Sequence, residues 1–269
     1  MSKITSVKIS NDPKQFDEIR LLIEQEGAVI LRGIITKETA QKLKQDLNSS
    51  LDEDLQQFGD NYIFKGMVHA LMNRKKSFVE LLDDKNILGI FRSILGKGAI
   101  LHAYNSSSMP PALTNFSRSI HVDCPRLIPG YITNMGITIA VDAFTPTNGA
   151  MEIWPSSFTQ MTAPSEENFV ANKVDLDDLE IGDAILFNAR CWHRGGINKT
   201  NDWRHAVTMN VCRAYMRQQF DFSELMGEEK IDTLSEDVKQ FIGYNVRMPH
   251  NMEEFLLPAD KRKYKAGQE

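Results

Sequence analysis

The sequence predicts a mainly β protein with flanking helices, built on a double-stranded β-helix (jelly-roll or cupin-like) core. Three observations lead there. From about Ile100 onward the apolar periodicity changes from helical to strand-like, and turn signals recur at Pro110-Pro111, Pro129-Gly130, Pro146, Asn148-Gly149 and Gly182-Asp183; many short strands between such turns indicate a sandwich or barrel. Helical spacing is confined mostly to the residues before that point. Finally, two segments that carry histidine and aspartate, Ser119-Ile120-His121-Val122-Asp123-Cys124 and Cys191-Trp192-His193-Arg194-Gly195-Gly196, fit a metal site inside such a core.

In order along the chain, Asp12-Pro13 reads as an N-cap with proline at the first helical position, and Phe16, Ile19, Leu22 and Ile23 then share one face until Gly27. Ala28-Val29-Ile30-Leu31 is a short buried strand. Thr36 caps a second helix in which Ala40, Leu43 and Leu47 recur at helical spacing, ending near residue 50. From Leu51 to Arg74 the pattern weakens, and His69 reads as a surface or half-buried histidine. Ile87 to Leu95 is a short helix stopped at Gly96. The helices of 12–50 and 86–95 are expected to cover the outer face of one sheet. In the strand Asn134 to Asp142, Met135, Ile137, Ile139 and Val141 fall on one side, while Asn134, Gly136, Thr138 and Ala140 fall on the other. The second side is small and partly polar, as the wall of a ligand cavity would be. Asp183 to Asn188 is an apolar strand leading toward His193.

At 269 residues and 42% hydrophobic, the chain can bury a substantial core, and a single domain is expected over 1–269. It divides into a mostly helical flanking region (1–98), the jelly-roll core (99–215) and a C-terminal extension (216–269) with one capped helix from Ser235 to Ile242, read as a lid over the pocket. The net charge of −5 provides no basic field for nucleic acid. No apolar run has membrane-spanning length and Met1-Ser2-Lys3-Ile4 begins no secretory pattern, so a cytoplasmic protein without membrane or nucleic-acid partners is expected, as monomer or homodimer. Three cysteines, Cys124, Cys191 and Cys212, with no C-x-x-C pair argue against a disulfide framework.

The chemistry lies in the H-x-D triplet. If residues 119–124 form a strand, His121 and Asp123 leave the same face. Should His193 reach the same point, two imidazoles and a carboxylate would occupy one face of a metal and leave the other open, the arrangement of non-haem Fe(II) oxygenases. A lone H-x-D is common, and context strengthens this one: eleven residues after His193 stands Arg204, suited to fork onto a carboxylate of a small bound acid.

The order of H-x-D, the segment His193-Arg194-Gly195-Gly196-Ile197-Asn198 and Arg204 resembles the phytanoyl-CoA dioxygenase (PhyH) family of Fe(II)/2-oxoglutarate-dependent oxygenases. Gly136 to Phe144 resembles its central strand, and Asn148 to Phe158 resembles its segment ending in Pro-Gly-Ser-His, although Ser157-Phe158 stands where the family has Ser-His. The resemblance spans roughly residues 15 to 215. It implies Fe(II) held by His121, Asp123 and His193, 2-oxoglutarate as cosubstrate with Arg204 on its distal carboxylate and Thr138 donating a hydrogen bond beside it, and O2 as oxidant. It also implies hydroxylation of a small-molecule substrate with release of succinate and CO2. Because Asp123 is a carboxylate, no position is vacated for chloride, and the halogenase variant of the family is disfavoured.

Two other classes compete. A zinc or other metal-dependent cupin-like isomerase or hydrolase could recruit Cys124 or Cys191 beside the histidines. A non-catalytic jelly-roll binding protein would keep the fold without turnover. For the substrate, the arginines 118, 126, 190, 194 and 213 point to a polar or anionic molecule if they gather at the pocket mouth. The segments 105–111 and 124–131 are read as loops flanking that pocket.

Overall fold

In the computed structural model of the protein, which describes residues 3–10 and 12–268, local sequence signals set most helix ends. Met1 and Ser2, the start of the segment read above for a leader, lie outside the described residues. After a short strand β1 (Ser6–Lys8), Asp12 Oδ1 accepts the Lys14 amide at 3.0 Å and opens helix α1 (Lys14–Glu26). The Gly27 amide closes it on the Ile23 carbonyl at 3.0 Å. Strand β2 (Ala28–Arg32) follows, and Thr36 Oγ1 accepts the Thr39 amide at 3.1 Å to cap helix α2 (Lys37–Phe58). This helix runs beyond residue 50. Its buried stripe continues through Leu51 and Asp54, and Asp54 is a carboxylate made tolerable there by its ion pair with Arg74. Helix α3 (Lys76–Leu82), which begins without a capping side chain, leads into α4 (Lys85–Leu95), where Asp84 Oδ1 accepts the amides of Asn86 and Ile87 at 2.9 and 3.0 Å.

The remaining strands are β3 (Ile100–Ser106), β4 (Asn134–Ala140), β5 (Glu152–Trp154), β6 (Val174–Asp175), which follows helix α5 (Glu166–Asn172), β7 (Ala184–Asn188), β8 (Trp192–Arg194) and β9 (Ala206–Cys212). They form a six-stranded sheet in the order β1-β2-β7-β4-β9-β3, antiparallel except for β1 with β2, and a three-stranded sheet in the order β6-β5-β8. With 35% helix and 18% strand, the protein is a mixed sheet with helices and not the mainly β chain expected from the sequence. The longer α2, the unforeseen α3 and the helices after β9 make the difference.

The two faces of β4 part as predicted. Met135, Ile137, Ile139 and Val141 join a core with Ile19, Ile23, Leu43, Leu47, Ile87 and Phe91, so the first helices and α4 cover the outer face of the large sheet. Ala140, Ile185 and Phe187 face inward and pack with Ile153 of the small sheet. Gly136 makes this possible: a Cβ there would lie 2.3 Å from the Phe187 ring, which crosses directly over it.

The C-terminal extension departs from its expected role. Helices α6 (Phe222–Met226), α7 (Glu228–Ile231) and α8 (Glu236–Phe241) bury Phe222, Met226, Ile231, Val238 and Phe241 in the helix-covered core, with the Phe241 ring 6.0 Å from Phe91. Among the described residues none after Asn210 lines the inner cavity, and these three helices brace the helical layer. Their apolar stripe fixes them there, since those side chains find partners on α4.

Candidate metal centre

Between the two sheets lies a cavity of about 220 Å³, into which His121, Asp123, His193, Arg204 and Thr138 all project. The triplet His121-Val122-Asp123 is not the regular strand expected. His121 makes a single antiparallel bridge with His193, each amide donating to the other's carbonyl at 3.0 Å, and the Asp123 amide donates to the Ala189 carbonyl at 2.9 Å. These bonds pin an extended segment against β8 and the turn before it. The effect is the one a strand would have: ligating atoms of His121, Asp123 and His193 lie within 4.8 Å of one another, the only such group among the described residues.

The two rings are held ready by the backbone. His121 Nδ1 lies 2.7 Å from the Ser119 carbonyl and His193 Nδ1 lies 3.0 Å from the Cys191 carbonyl. A carbonyl only accepts, so each Nδ1 carries the proton and each Nε2 keeps a free lone pair. Both Nε2 atoms are 3.6 Å from Asp123 Oδ1. His193 is 7% exposed, and burial, followed by the nearby His121, lowers its pKa to about 4. It is therefore neutral at pH 7, as a metal ligand must be. Phe187 stands 5.0 Å from its ring, and Gly196, where a Cβ would meet the Ala150 carbonyl oxygen at 2.4 Å, lets the chain after the ligand press against the segment 149–150.

Arg204 lies two residues before β9, 2% exposed, with Nη1 donating to the Ser107 carbonyl at 2.9 Å and Nη2 to the Gly149 carbonyl at 2.6 Å. Its Nε has no hydrogen-bond partner and its guanidinium lies 4.3 Å above the centre of the Phe144 ring. Burial lowers its pKa to about 9, against an opposing pull from Asp142, so it remains a cation. It has no carboxylate within salt-bridge distance among the described residues, an arrangement that invites an anion. Thr138 lines the cavity from β4, paired in register with Thr208.

Other sequence readings fare unevenly. Cys124 Sγ lies 3.5 Å from Thr133 Oγ1, and the Cys191 thiol, its pKa raised by burial, donates to the Pro155 carbonyl at 3.0 Å. Neither sulfur joins the ligand group, which removes the thiolate ligands that a zinc site would recruit. His69 is half-buried, edge-on to Phe64 at 5.1 Å and away from the ligands. Phe158 packs beside Gly27, and Ser157 Oγ accepts the Trp192 amide at 2.8 Å, so Ser157-Phe158 secures the strand that carries His193. Asn105, Ser107 and Met109 from the segment 105–111 line the cavity, whereas none of 124–131 does.

Of the five arginines singled out in the sequence only Arg194 lines the cavity, and Arg126 is exposed outside it. Arg190 donates to the Pro125 carbonyl at 2.7 Å and to the Phe158 and Gln160 carbonyls; Arg213 donates to the carbonyls of Ile132, Leu95 and Ile94 at 2.8, 3.1 and 3.3 Å. Arg194 is held by Glu152 at 2.6 Å and Glu166 at 2.7 Å, and Arg118 donates to the Gly195 carbonyl at 3.2 Å. They tie loops together. Sequence reasoning missed Phe144, Met151, His102 and Asn210 as cavity residues. Alternation along 206–211 marks Asn210 as inward-facing, but nothing local marks His102.

The model of the phytanoyl-CoA dioxygenase (PhyH) family matches residues 23–206, and the chain belongs to that family. With its His-Asp-His group, this makes it, in class, a non-haem oxygenase. The uncharacterized protein Rv1501 of Mycobacterium tuberculosis is 25% identical over 97% of this chain and 98% of its own length. The dioxygenase ALT11 of Alternaria alternata is also 25% identical, over 87% of this chain and 83% of its own. Among solved structures, a non-haem monooxygenase, ThoJ, in complex with nickel, superposes with a TM-score of 0.59 at 17% identity, covering 73% of this chain and 78% of that one. Among the described residues no helix is long and apolar enough to cross a membrane.

Proposed function

We propose that the protein is an Fe(II)- and 2-oxoglutarate-dependent dioxygenase that hydroxylates a polar small molecule, converting 2-oxoglutarate to succinate and CO2. The two sheets would form the double-stranded β-helix of that class. One observation carries the reading: a histidine pair with both Nε2 atoms freed toward Asp123 shares a cavity with a buried arginine that lacks any carboxylate partner. The first fits a metal that accepts one face of ligands, and the second fits a diacid whose far end needs a cation.

His121 Nε2, His193 Nε2 and an Asp123 oxygen would hold the iron, which when bound supplies the activation of dioxygen that no side chain here can provide. Arg204 would take the distal carboxylate of the cosubstrate, presenting Nε and a neighbouring N–H, with Thr138 donating a further hydrogen bond. The Cys191 and Ser119 carbonyls keep both imidazoles in the tautomer that binds metal. Phe144, Met109, Met151 and Phe187 wall the cavity with apolar surface and exclude water from the reacting groups. Iron-loaded protein given 2-oxoglutarate in air is expected to release succinate slowly even without a prime substrate, and His193→Ala should stop it. Equal release from metal-free protein would contradict the proposal.

A further inference from the structure

The wall of the cavity formed by β3 and β9 carries polar groups that the metal centre does not use. In the ladder between these strands the register slips between Leu101 and Ala103, a β-bulge that inserts His102 as an extra residue. Bulges re-aim side chains. Here His102 and Ala103 both line the cavity, although neighbours along an unbroken strand point to opposite faces.

His102 Nδ1 lies 2.7 Å from the Arg217 carbonyl. That carbonyl only accepts, so Nδ1 carries the proton and Nε2 of the neutral ring keeps an unused lone pair. Asn210, paired in register with Ala103, lines the same wall. Its amide is bonded at 3.1 Å to that of Asn134, whose own Oδ1 is buried without a partner. The two other polar residues of this wall are already engaged, since Thr208 Oγ1 donates to the Asn105 carbonyl at 3.2 Å and Asn105 Oδ1 accepts the Ala70 amide at 3.3 Å. With the Oδ1 atoms of Asn105 and Asn210 both accepting protein amides, His102 Nε2 is the nitrogen acceptor left on this wall to meet a ligand.

Position separates this pair from the cosubstrate end. Six residues of β-structure between Arg204 and Asn210 span about 20 Å. Asn210 is level with Gly136 on β4, the residue over which Phe187 reaches toward His193. The wall therefore lies abreast of the metal ligands and away from Arg204. Among the described residues, those that β3 and β9 contribute to the cavity lining include no lysine or arginine; Arg213 donates to three backbone carbonyls, and Arg217, whose carbonyl holds His102, is exposed outside the lining.

We infer that His102, with Asn210 beside it, determines specificity by accepting a hydrogen bond from the substrate, selecting a neutral or aminated molecule that carries hydroxyl or N–H groups over a carboxylate or a fatty acyl chain. The inference rests on the oxygenase reading in that it names the substrate class of the same cavity. Asn210 is a positioning partner that offers an uncharged amide.

The test uses metal-free full-length protein saturated with succinate, so that Arg204 is not free to take the carboxylate probe, and three matched probes: cyclohexane-1,2-diol, cyclohexyl methyl ether and cyclohexanecarboxylate. Binding is read by saturation-transfer NMR at millimolar concentration. The diol is expected to bind best, His102→Leu should weaken it about fivefold, the worth of one hydrogen bond, and His102→Gln, which keeps an acceptor, should restore most of the loss. Comparable binding of the ether or carboxylate, no binding of the diol, or a diol affinity unchanged in His102→Leu would each overturn the inference. So would failure of His102→Gln to rescue, since a packing role would predict that. The anaerobic absorbance of the iron and 2-oxoglutarate complex reports separately on the oxygenase reading: it should be untouched by His102→Leu, and its absence from wild-type protein would sink that reading while leaving the probe result to stand alone.

Discussion

The two faces of the large sheet contrast sharply. On the outer face Met135, Ile137, Ile139 and Val141 meet helices whose side chains are equally apolar, and every neighbour is satisfied by burial alone. On the inner face Thr138 lines a cavity holding three ligating side chains and a buried cation without a carboxylate, and nearby Asn134 keeps an amide oxygen without a partner. The outer face is arranged for stability, whereas the inner face keeps polar groups unsatisfied, which costs stability and is intelligible only if ligands complete them. Variants on the two faces should accordingly separate folding from function.

The largest separation is expected from Asp123→Ala. It should abolish iron retention and succinate release, measured by metal analysis and product assay, while leaving the urea midpoint of the metal-free protein nearly unchanged. The mirror image is Phe91→Ala, which empties a site that is 1% exposed in the helical core. It should cost about 3–5 kcal/mol in urea unfolding and leave metal affinity of the folded fraction intact. A loss of metal affinity in Phe91→Ala equal to that in Asp123→Ala would erase the distinction.

Outside the cavity lining, the large sheet also ends on a buried histidine. His205, which is 1% exposed and bonded to Ser108 Oγ at 2.9 Å, has its pKa lowered to about 4, chiefly by burial, with Asp142 opposing. Because the native ring resists a proton that the unfolded chain accepts below about pH 6.5, stability should fall as pH drops from about 6.5 toward 4 and level off below that. The part due to His205 is at most about 3 kcal/mol, and His205→Gln should flatten the slope of metal-free stability against pH by that share. An unchanged slope would show that this ring is not a source of acid sensitivity. Smallest in energy is Arg204→Ala, expected to raise the 2-oxoglutarate requirement by roughly tenfold to a hundredfold, the loss of a charge-assisted hydrogen bond of about 1.5–3 kcal/mol. Arg204→Lys should lie between, retaining the charge without the fork.

Much of this contrast was legible in the sequence because both parts depend on local pattern. Alternation along 134–142 separated the faces of β4, caps at Asp12 and Thr36 placed the first helices, and H-x-D with His193 and Arg204 marked the centre. What escaped depends on contacts between distant segments. Nothing near Asp54 announces the Arg74 partner that lets α2 continue, and nothing near Arg190 or Arg213 announces the distant carbonyls they bind. Arg190 and Arg213 are for that reason spent on loops and absent from the cavity lining. The helices of 216–269 carry an apolar stripe that the sequence shows, but only the position of α4 reveals that this stripe is already covered. His102 was hidden by the bulge that turns it inward.

The most direct test of the central claim, that the inner face is a metal centre completed by a keto diacid, is anaerobic difference absorbance on adding Fe(II) and then 2-oxoglutarate to metal-free protein. A weak visible charge-transfer band should appear only when both are present, persist in Phe91→Ala that remains folded, and vanish in Asp123→Ala. A protein that binds zinc tightly but gives no band with Fe(II) and 2-oxoglutarate would contradict the account and bring forward the hydrolase or isomerase reading.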